Sequence, residues 1–285
     1  MSVVVRPGHL QSLDTPRGRA FRDALVVAGL LFLGYLFLVL APQVQSFGFD
    51  ARAYWGYPRD VVYVSGAPVN GVGLFRYAPV WLPLLTIFSQ VPYWQFLWLW
   101  TALLVATAWW LGSRWPLVAF AFPPVALELY HGNIHLLLAA AIVLGFRYPV
   151  AWSFVLLTKV TPGIGLLWFA VRREWRPLAI AVGATAVVVV VSVLATPDPW
   201  RAWVDSLVSA SPSEGPNHVA VPLALRLVIA TVVVTWGART DRRWTVPVAA
   251  TLALPTLWYH GLAMLIAVVP VVWPSRSRIG SPGAS

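Results

Sequence analysis

The residue that most needs a chemical explanation is Lys159, the only lysine in the chain. It lies inside the apolar run from Pro149 to Val171, in the string LLTKVTPGIG. A charged side chain near the centre of a membrane span costs about 2.5–3.5 kcal/mol on insertion scales, so it normally faces a cavity or an opposite charge. We therefore expect Lys159 to face a cavity. The structural alternatives are an ion pair with Glu128 or an ammonium that reaches an interface.

A carboxylate soon after the first apolar run is the best candidate for a general base. Asp50 stands in the string FGFDARAYW. A carboxylate held at the membrane surface can accept a proton from a hydroxyl group, and Arg52 or Arg76 could hold an anionic leaving group. The alternative is structural, because Asp50 directly precedes a short helix-forming string and is a plausible N-cap.

Further polar residues lie in a later polar segment and at one late turn. Asn217 and His218 could hydrogen-bond a sugar, and Arg226 could reach a phosphate or anchor at the membrane interface. His260 precedes the last apolar run and is either a site residue or an interfacial histidine. The sequence contains no Gly-rich phosphate loop, no spaced metal-ligand cluster and no Ser/His/Asp arrangement, so soluble nucleotide chemistry and a metal site are not predicted.

The composition requires that these residues are positioned by membrane helices. The chain is 59% hydrophobic and 11% charged, with mean hydropathy +0.73, which is typical of a polytopic membrane protein. Its 17 Trp, 9 Tyr and 13 Phe suit rings that anchor at both interfaces. The net charge of +10 is typical of cytoplasmic loops that face anionic lipid, and we predict no nucleic-acid partner. Without cysteine there is no disulfide or thiolate chemistry.

Hydropathy predicts an all-α protein with about ten transmembrane or re-entrant helices. Two of the runs, 116–130 and 133–146, are shorter than the roughly 20 residues that a span needs, and they meet at the turn His131, Gly132, Asn133. We expect a broken or re-entrant pair whose turn borders a site, or else a tight helical hairpin. The apolar runs are 24–41, 77–91, 94–112, 116–130, 133–146, 150–171, 177–195, 220–237, 245–258 and 261–273.

Arginine placement predicts the orientation. The basic segment 1–23 is expected in the cytoplasm before an uncleaved first span, and the tail 274–285 also lies inside. The intervening residues 24–273 form one membrane domain. Its longer segments 42–76 and 196–219 are then predicted to lie outside the cytoplasm and to contact each other, because one site needs groups from both.

Several short strings stand in a fixed order along the chain: Asp50 with Tyr54; Tyr77, Ala78, Pro79; Gly132, Asn133, Ile134, His135; Lys159, Val160, Thr161, Pro162; Asn217 and His218 with Arg226; and Trp258, Tyr259, His260. In this order they resemble the GT-C membrane glycosyltransferases. Among these they resemble glycosyltransferase family 87, the polyprenyl-phosphate-mannose-dependent mannosyltransferases.

The resemblance implies an inverting transfer of a hexose, such as mannose, from a polyprenyl-phosphate donor to an acceptor hydroxyl outside the cytoplasm, in the plasma membrane. The implied partners are the lipid-linked donor, a glycolipid or glycan acceptor and membrane lipids; no cofactor beyond the donor is implied, and a divalent ion is left open. Asp50 is the implied base. The residues implied to bind substrate are Tyr54, Arg76, Asn133, His135, Lys159, Asn217, His218, Arg226 and His260. The alternatives are a transporter or flippase, and a catalytically silent membrane scaffold.

Overall fold

The computed structural model describes residues 15–44, 46–56, 62–68, 74–113, 115–211 and 221–273. Most of these residues are helical, and no β-strand occurs among them. The α-helices are α1 (Pro16–Gly34), α2 (Ala41–Val44), α3 (Ala51–Trp55), α4 (Leu82–Phe88), α5 (Tyr93–Leu111), α6 (Pro116–Phe120), α7 (Pro123–His131), α8 (His135–Gly145), α9 (Trp152–Thr158), α10 (Leu167–Val171), α11 (Trp175–Ala195), α12 (Pro197–Val208), α13 (Leu223–Arg239), α14 (Thr245–Leu252) and α15 (Val268–Val272). A π-helical segment, Tyr35–Leu40, joins α1 to α2, and 3₁₀ segments cover Pro79–Trp81, Pro149–Ala151, Thr161–Leu166 and Tyr259–Ala267.

Three helical stretches in the described part of the chain are long and apolar enough to cross a membrane. They are Pro16–Val44, Tyr93–Leu111 and Trp175–Ala195, and the bent pair α7 and α8 makes a fourth if it is counted as one span. The all-helical prediction is confirmed, but the count of about ten spans is not. Prolines and glycines divide several apolar runs into short helices and 3₁₀ turns, an interruption that a hydropathy window does not detect.

The exposed surface of α11 requires lipid. Among its 21 residues only Ala181 is fully buried, whereas Val187, Val191 and Leu194 are 63%, 62% and 79% exposed. Water could not solvate so continuous an apolar surface without a large free-energy cost. The protein is therefore a membrane protein.

Polar contacts at two places join segments that are distant in sequence. Arg172 Nη1 lies 3.0 Å from Asp241 Oδ1, so the two arginine-rich turns that follow α10 and α13 meet. Elsewhere the Gly66 amide donates to Ser209 Oγ at 2.9 Å, and Trp203 Nε1 donates to the Arg76 carbonyl at 3.1 Å. Segments 42–76 and 196–219 thus contact each other, as the sequence predicts, through their described residues.

Candidate active site

The break between α7 and α8 builds one wall of the site. The two helices are bent by 117°, and Gly132 adopts a left-handed conformation with φ of +70°. A side chain at Gly132 would be strained and would also meet Ala51 Cβ at 2.9 Å. The Trp100 indole donates to the Gly132 carbonyl at 2.7 Å, and the Asp50 amide donates to the His131 carbonyl at 2.9 Å. The predicted broken pair is therefore present, and the break holds the loop that carries Asp50.

The Asp50 carboxylate is directed at the break and not at its own helix. Asp50 precedes α3, but its side chain makes no capping hydrogen bond. Its Oδ2 accepts from Asn133 Nδ2 at 2.8 Å and lies 3.7 Å from His260 Nε2. Burial raises the pKa of the Asp50 carboxyl above its usual range, and the hydrogen bond from Asn133 opposes that rise. The geometry favours a chemical role over the N-cap alternative.

Asp50 opens into a cavity of 690 Å³, a size typical of small-molecule sites. The predicted residues Tyr54, Arg76, Asn133, Lys159 and His260 line the same cavity. Sequence reasoning missed other lining residues, since apolar and aromatic side chains carry no chemical signal of their own. These include Leu156, Trp203, Leu207 and Pro255. His131 also lines the cavity, as expected of the turn that borders the site.

Lys159 reaches the cavity because its helix ends immediately before it. The sequence favours one long helix from 150 to 171, but α9 ends at Thr158, and Lys159 is extended with φ of −142° and ψ of 115°. The Trp81 indole and the Ala78 amide both donate to the Leu157 carbonyl, which the break leaves free. The helical path resumes as a 3₁₀ segment at Thr161.

Arg76 supplies a second cation to the cavity. Its Nη2 donates to the Ala67 carbonyl at 3.0 Å and also to the Pro68 carbonyl. Its Nε is buried without an acceptor among the described residues. Burial lowers the pKa of the Arg76 guanidinium below its usual range. This guanidinium is fixed by backbone carbonyls and adds positive charge to the wall of the cavity.

Tyrosine and histidine rings surround the carboxylate. The Tyr54 hydroxyl lies 3.0 Å from the Tyr77 hydroxyl and donates to Asn133 Oδ1 at 3.4 Å. His260 stacks on Trp258 with an interplanar angle of 11°, and its Nε2 lies 3.4 Å from Asn133 Nδ2. Asn133 therefore connects Tyr54, Asp50 and His260 in one polar network.

His135 lies behind the cavity wall, in contact with Glu128 and Lys159. Glu128, His135 and His260 each place a ligand atom within 4.8 Å of the others, a grouping that could hold a metal ion. The sequence predicts no such cluster, because His260 is far along the chain from Glu128 and His135. In this structure Glu128 and His135 are hydrogen-bonded to each other, and the ammonium of Lys159 beside His135 opposes a second cation by charge repulsion.

Arg226 is buried outside this cavity. Its guanidinium donates to the carbonyls of Val221, Leu252, Leu254 and Pro255 at 2.6–3.0 Å. It fixes the turn after α14, which supplies the cavity residue Pro255. Its predicted contact with phosphate stays a prediction. Asn217 and His218 lie outside the described residues.

The carbonyl contacts of Arg226 predict a stability effect. Arg226→Gln leaves several buried carbonyls without a donor, so we expect a loss of about 3 kcal/mol in the free energy of unfolding. A lower thermal midpoint in detergent would show it. The control is Arg239→Gln, which removes an exposed arginine from the end of the same helix. Equal midpoints for the two variants would contradict the structural role.

A cavity in a membrane-embedded helical fold, lined by a carboxylate, two cations and aromatic rings, is the kind of site that a membrane-bound transferase needs. The model of glycosyltransferase family 87 matches residues 75–281, which is more than half of the chain. The chain belongs to glycosyltransferase family 87. Comparison with curated proteins and with solved structures gives no match. Asp50 and Tyr54 precede the matched range, so their roles rest on the geometry.

Proposed function

We propose that this membrane glycosyltransferase transfers a hexose from polyprenyl phosphate to an acceptor hydroxyl, with inversion. The resemblance of the chain to the polyprenyl-phosphate-mannose-dependent enzymes implies that the hexose is mannose. Asp50, Arg76 and Lys159 line one cavity, and this is the main observation in support of the proposal. One carboxylate opposite two cations is what a base and an anionic leaving group require. The acceptor is a glycolipid or glycan, and the reaction takes place at the extracytoplasmic face of the plasma membrane.

In the proposed reaction Asp50 takes the proton from the acceptor hydroxyl. The hydroxyl oxygen then attacks the anomeric carbon while the bond from that carbon to the phosphate oxygen breaks. Arg76 and Lys159 stabilise the departing polyprenyl phosphate, and Tyr54 packs against the sugar. A lipid-linked donor also accounts for the lack of a nucleotide-phosphate loop in the sequence.

Family membership favours this function over a transporter or flippase, which was the alternative from sequence. The direct test incubates purified protein with labelled polyprenyl-phosphate mannose and a membrane-glycolipid extract. We expect label to move to a glycolipid with inverted configuration. The proposal would be contradicted if the donor were consumed without a glycosylated product. It would also be contradicted if the label only crossed a vesicle membrane and was not transferred.

The proposed orientation predicts that both contacting segments are labelled from outside the cell. Ser65→Cys and Asp205→Cys place single thiols at exposed positions of segments 42–76 and 196–219 in a chain without native cysteine. A membrane-impermeant maleimide should label both in intact cells. The matched control is Arg173→Cys, in the turn after α10, which should react only after the membrane is opened. Labelling of positions 65 and 205 from opposite faces would exclude the arrangement.

A further inference from the structure

A buried relay of three side chains runs from the interior to the cavity. His135 Nδ1 lies 3.0 Å from Glu128 Oε2, and His135 Nε2 lies 2.9 Å from Lys159 Nζ. Glu128 and His135 are fully buried, whereas Lys159 lines the cavity. The 117° bend between α7 and α8 creates the relay, because it returns the end of one helix to the start of the next.

Hydrogen-bond chemistry fixes the direction of this relay. An ammonium has only donors, so His135 Nε2 must accept from Lys159. The neutral imidazole then carries its proton on Nδ1, and this N–H donates a hydrogen bond to Glu128. Two N–H bonds of Lys159 remain without an acceptor among the described residues. The relay thus joins a buried carboxyl group to a cation whose free donors lie at the cavity.

Glu128 also has a structural role, and a test must distinguish this role from its contact with the His135 imidazole. Its Oε1 accepts from the His135 amide at 2.5 Å, so it caps the first turn of α8. Oε1 therefore serves the helix, and Oε2 serves the imidazole. A carboxylate makes both contacts at once, whereas a glutamine has one acceptor oxygen and can make only one of them.

We propose that Glu128 and His135 are positioning residues that hold the Lys159 side chain directed into the cavity, so that its two free N–H bonds bind an anionic phosphate. The inference rests on the proposed function, because that function identifies the anion as the phosphate of a polyprenyl-phosphate donor. Neither residue touches the ligand in this arrangement. A cation fixed before the ligand arrives needs no reorganisation when negative charge develops on the leaving group.

The substitution Glu128→Gln tests the relay with little change in shape. The His135 amide is an obligatory donor, so the glutamine oxygen must keep the helix cap. The glutamine NH₂ then faces His135 Nδ1 and forces the imidazole proton onto Nε2, opposite the donors of Lys159. ¹⁵N-histidine NMR distinguishes the two tautomers, and the signal of His135 is assigned by its loss in His135→Gln. We expect a Nδ1–H tautomer in the unaltered protein and a Nε2–H tautomer in Glu128→Gln.

The functional measurement is equilibrium binding of a polyprenyl monophosphate, compared with the uncharged polyprenol, in the presence of EDTA. Glu128→Gln should weaken phosphate binding about tenfold or more and leave polyprenol binding unchanged, because a charge-assisted contact is lost. In the Lys159→Met background the same substitution should have no further effect. Glu174→Gln, which removes the partly exposed carboxylate paired with Arg172, is the matched control and should change neither constant.

Two variants of His135 test the same relay if Glu128→Gln folds poorly. His135→Gln retains an acceptor for Lys159 and should preserve part of the phosphate affinity, whereas His135→Leu should lose it. Three results would each contradict the relay. They are additive effects of Glu128→Gln and Lys159→Met on phosphate binding, an unchanged His135 tautomer in Glu128→Gln, and loss of phosphate binding in EDTA. If the unaltered protein binds polyprenyl phosphate as described but transfers no hexose, the proposed function fails and the relay stands.

Discussion

Asp50→Asn is expected to lower kcat by about 10²-fold or more while donor binding is retained. The asparagine keeps the size of the side chain and can still accept the hydrogen bond from Asn133 Nδ2. It cannot accept the proton of the acceptor hydroxyl. The measurement is steady-state transfer together with equilibrium binding of the donor.

The matched control for Asp50 is Asp198→Asn, which changes an 85% exposed carboxylate of α12. It should leave kcat unchanged. If Asp50 only stabilised α3, asparagine would replace it almost fully, since both residues cap helices similarly. Near-normal turnover of Asp50→Asn would therefore reject the role of Asp50 as base.

The buried position of Asp50 adds a pH dependence to the same experiment. Burial raises the pKa of this carboxyl, so it is protonated at a higher pH than an ordinary aspartate. A general base acts only when it is ionised. The value of kcat/KM should therefore fall as the pH is lowered through the raised pKa, and a profile of the unaltered enzyme will show this acidic limb.

Lys159→Met should raise the donor KM about tenfold or more without unfolding the protein. Methionine fills similar space in the wall of the cavity but offers no charge and no donor to a phosphate. The measurements are donor KM and the thermal midpoint of the purified variant. Arg201→Met, at a 77% exposed cation of α12, is the control. A lowered thermal midpoint with normal KM would instead assign Lys159 a structural role.

The sequence predicted the site best where burial of a polar group is costly. Lys159 within an apolar run needed a cavity or a partner, and the structure provides both. The short runs around Gly132 indicated a break for the same reason, because backbone that leaves a helix inside a membrane must be satisfied by protein or water. Asp50 was selected by its side chain and its distance from the first span.

Other features could not be predicted, for physical reasons. Arg226 looks the same in sequence whether its acceptors are phosphate oxygens or the carbonyls of Leu252 and Leu254. The partnership of Glu128 and His135 depends on a bend angle that no local pattern specifies. The count of about ten spans is not confirmed, because hydropathy responds to apolar content and not to helix continuity.

The hydrogen bonds around Asn133 have a consequence for biosynthesis. Asn133 joins Asp50, 83 residues earlier, to His260, 127 residues later. Contacts so distant along the chain form late, because closure of a long loop must precede any gain from the contact. The Asp50 carboxylate cannot take up this position until His260 has left the ribosome and entered the bilayer. Chains that have not yet reached His260 therefore lack the complete network around Asn133.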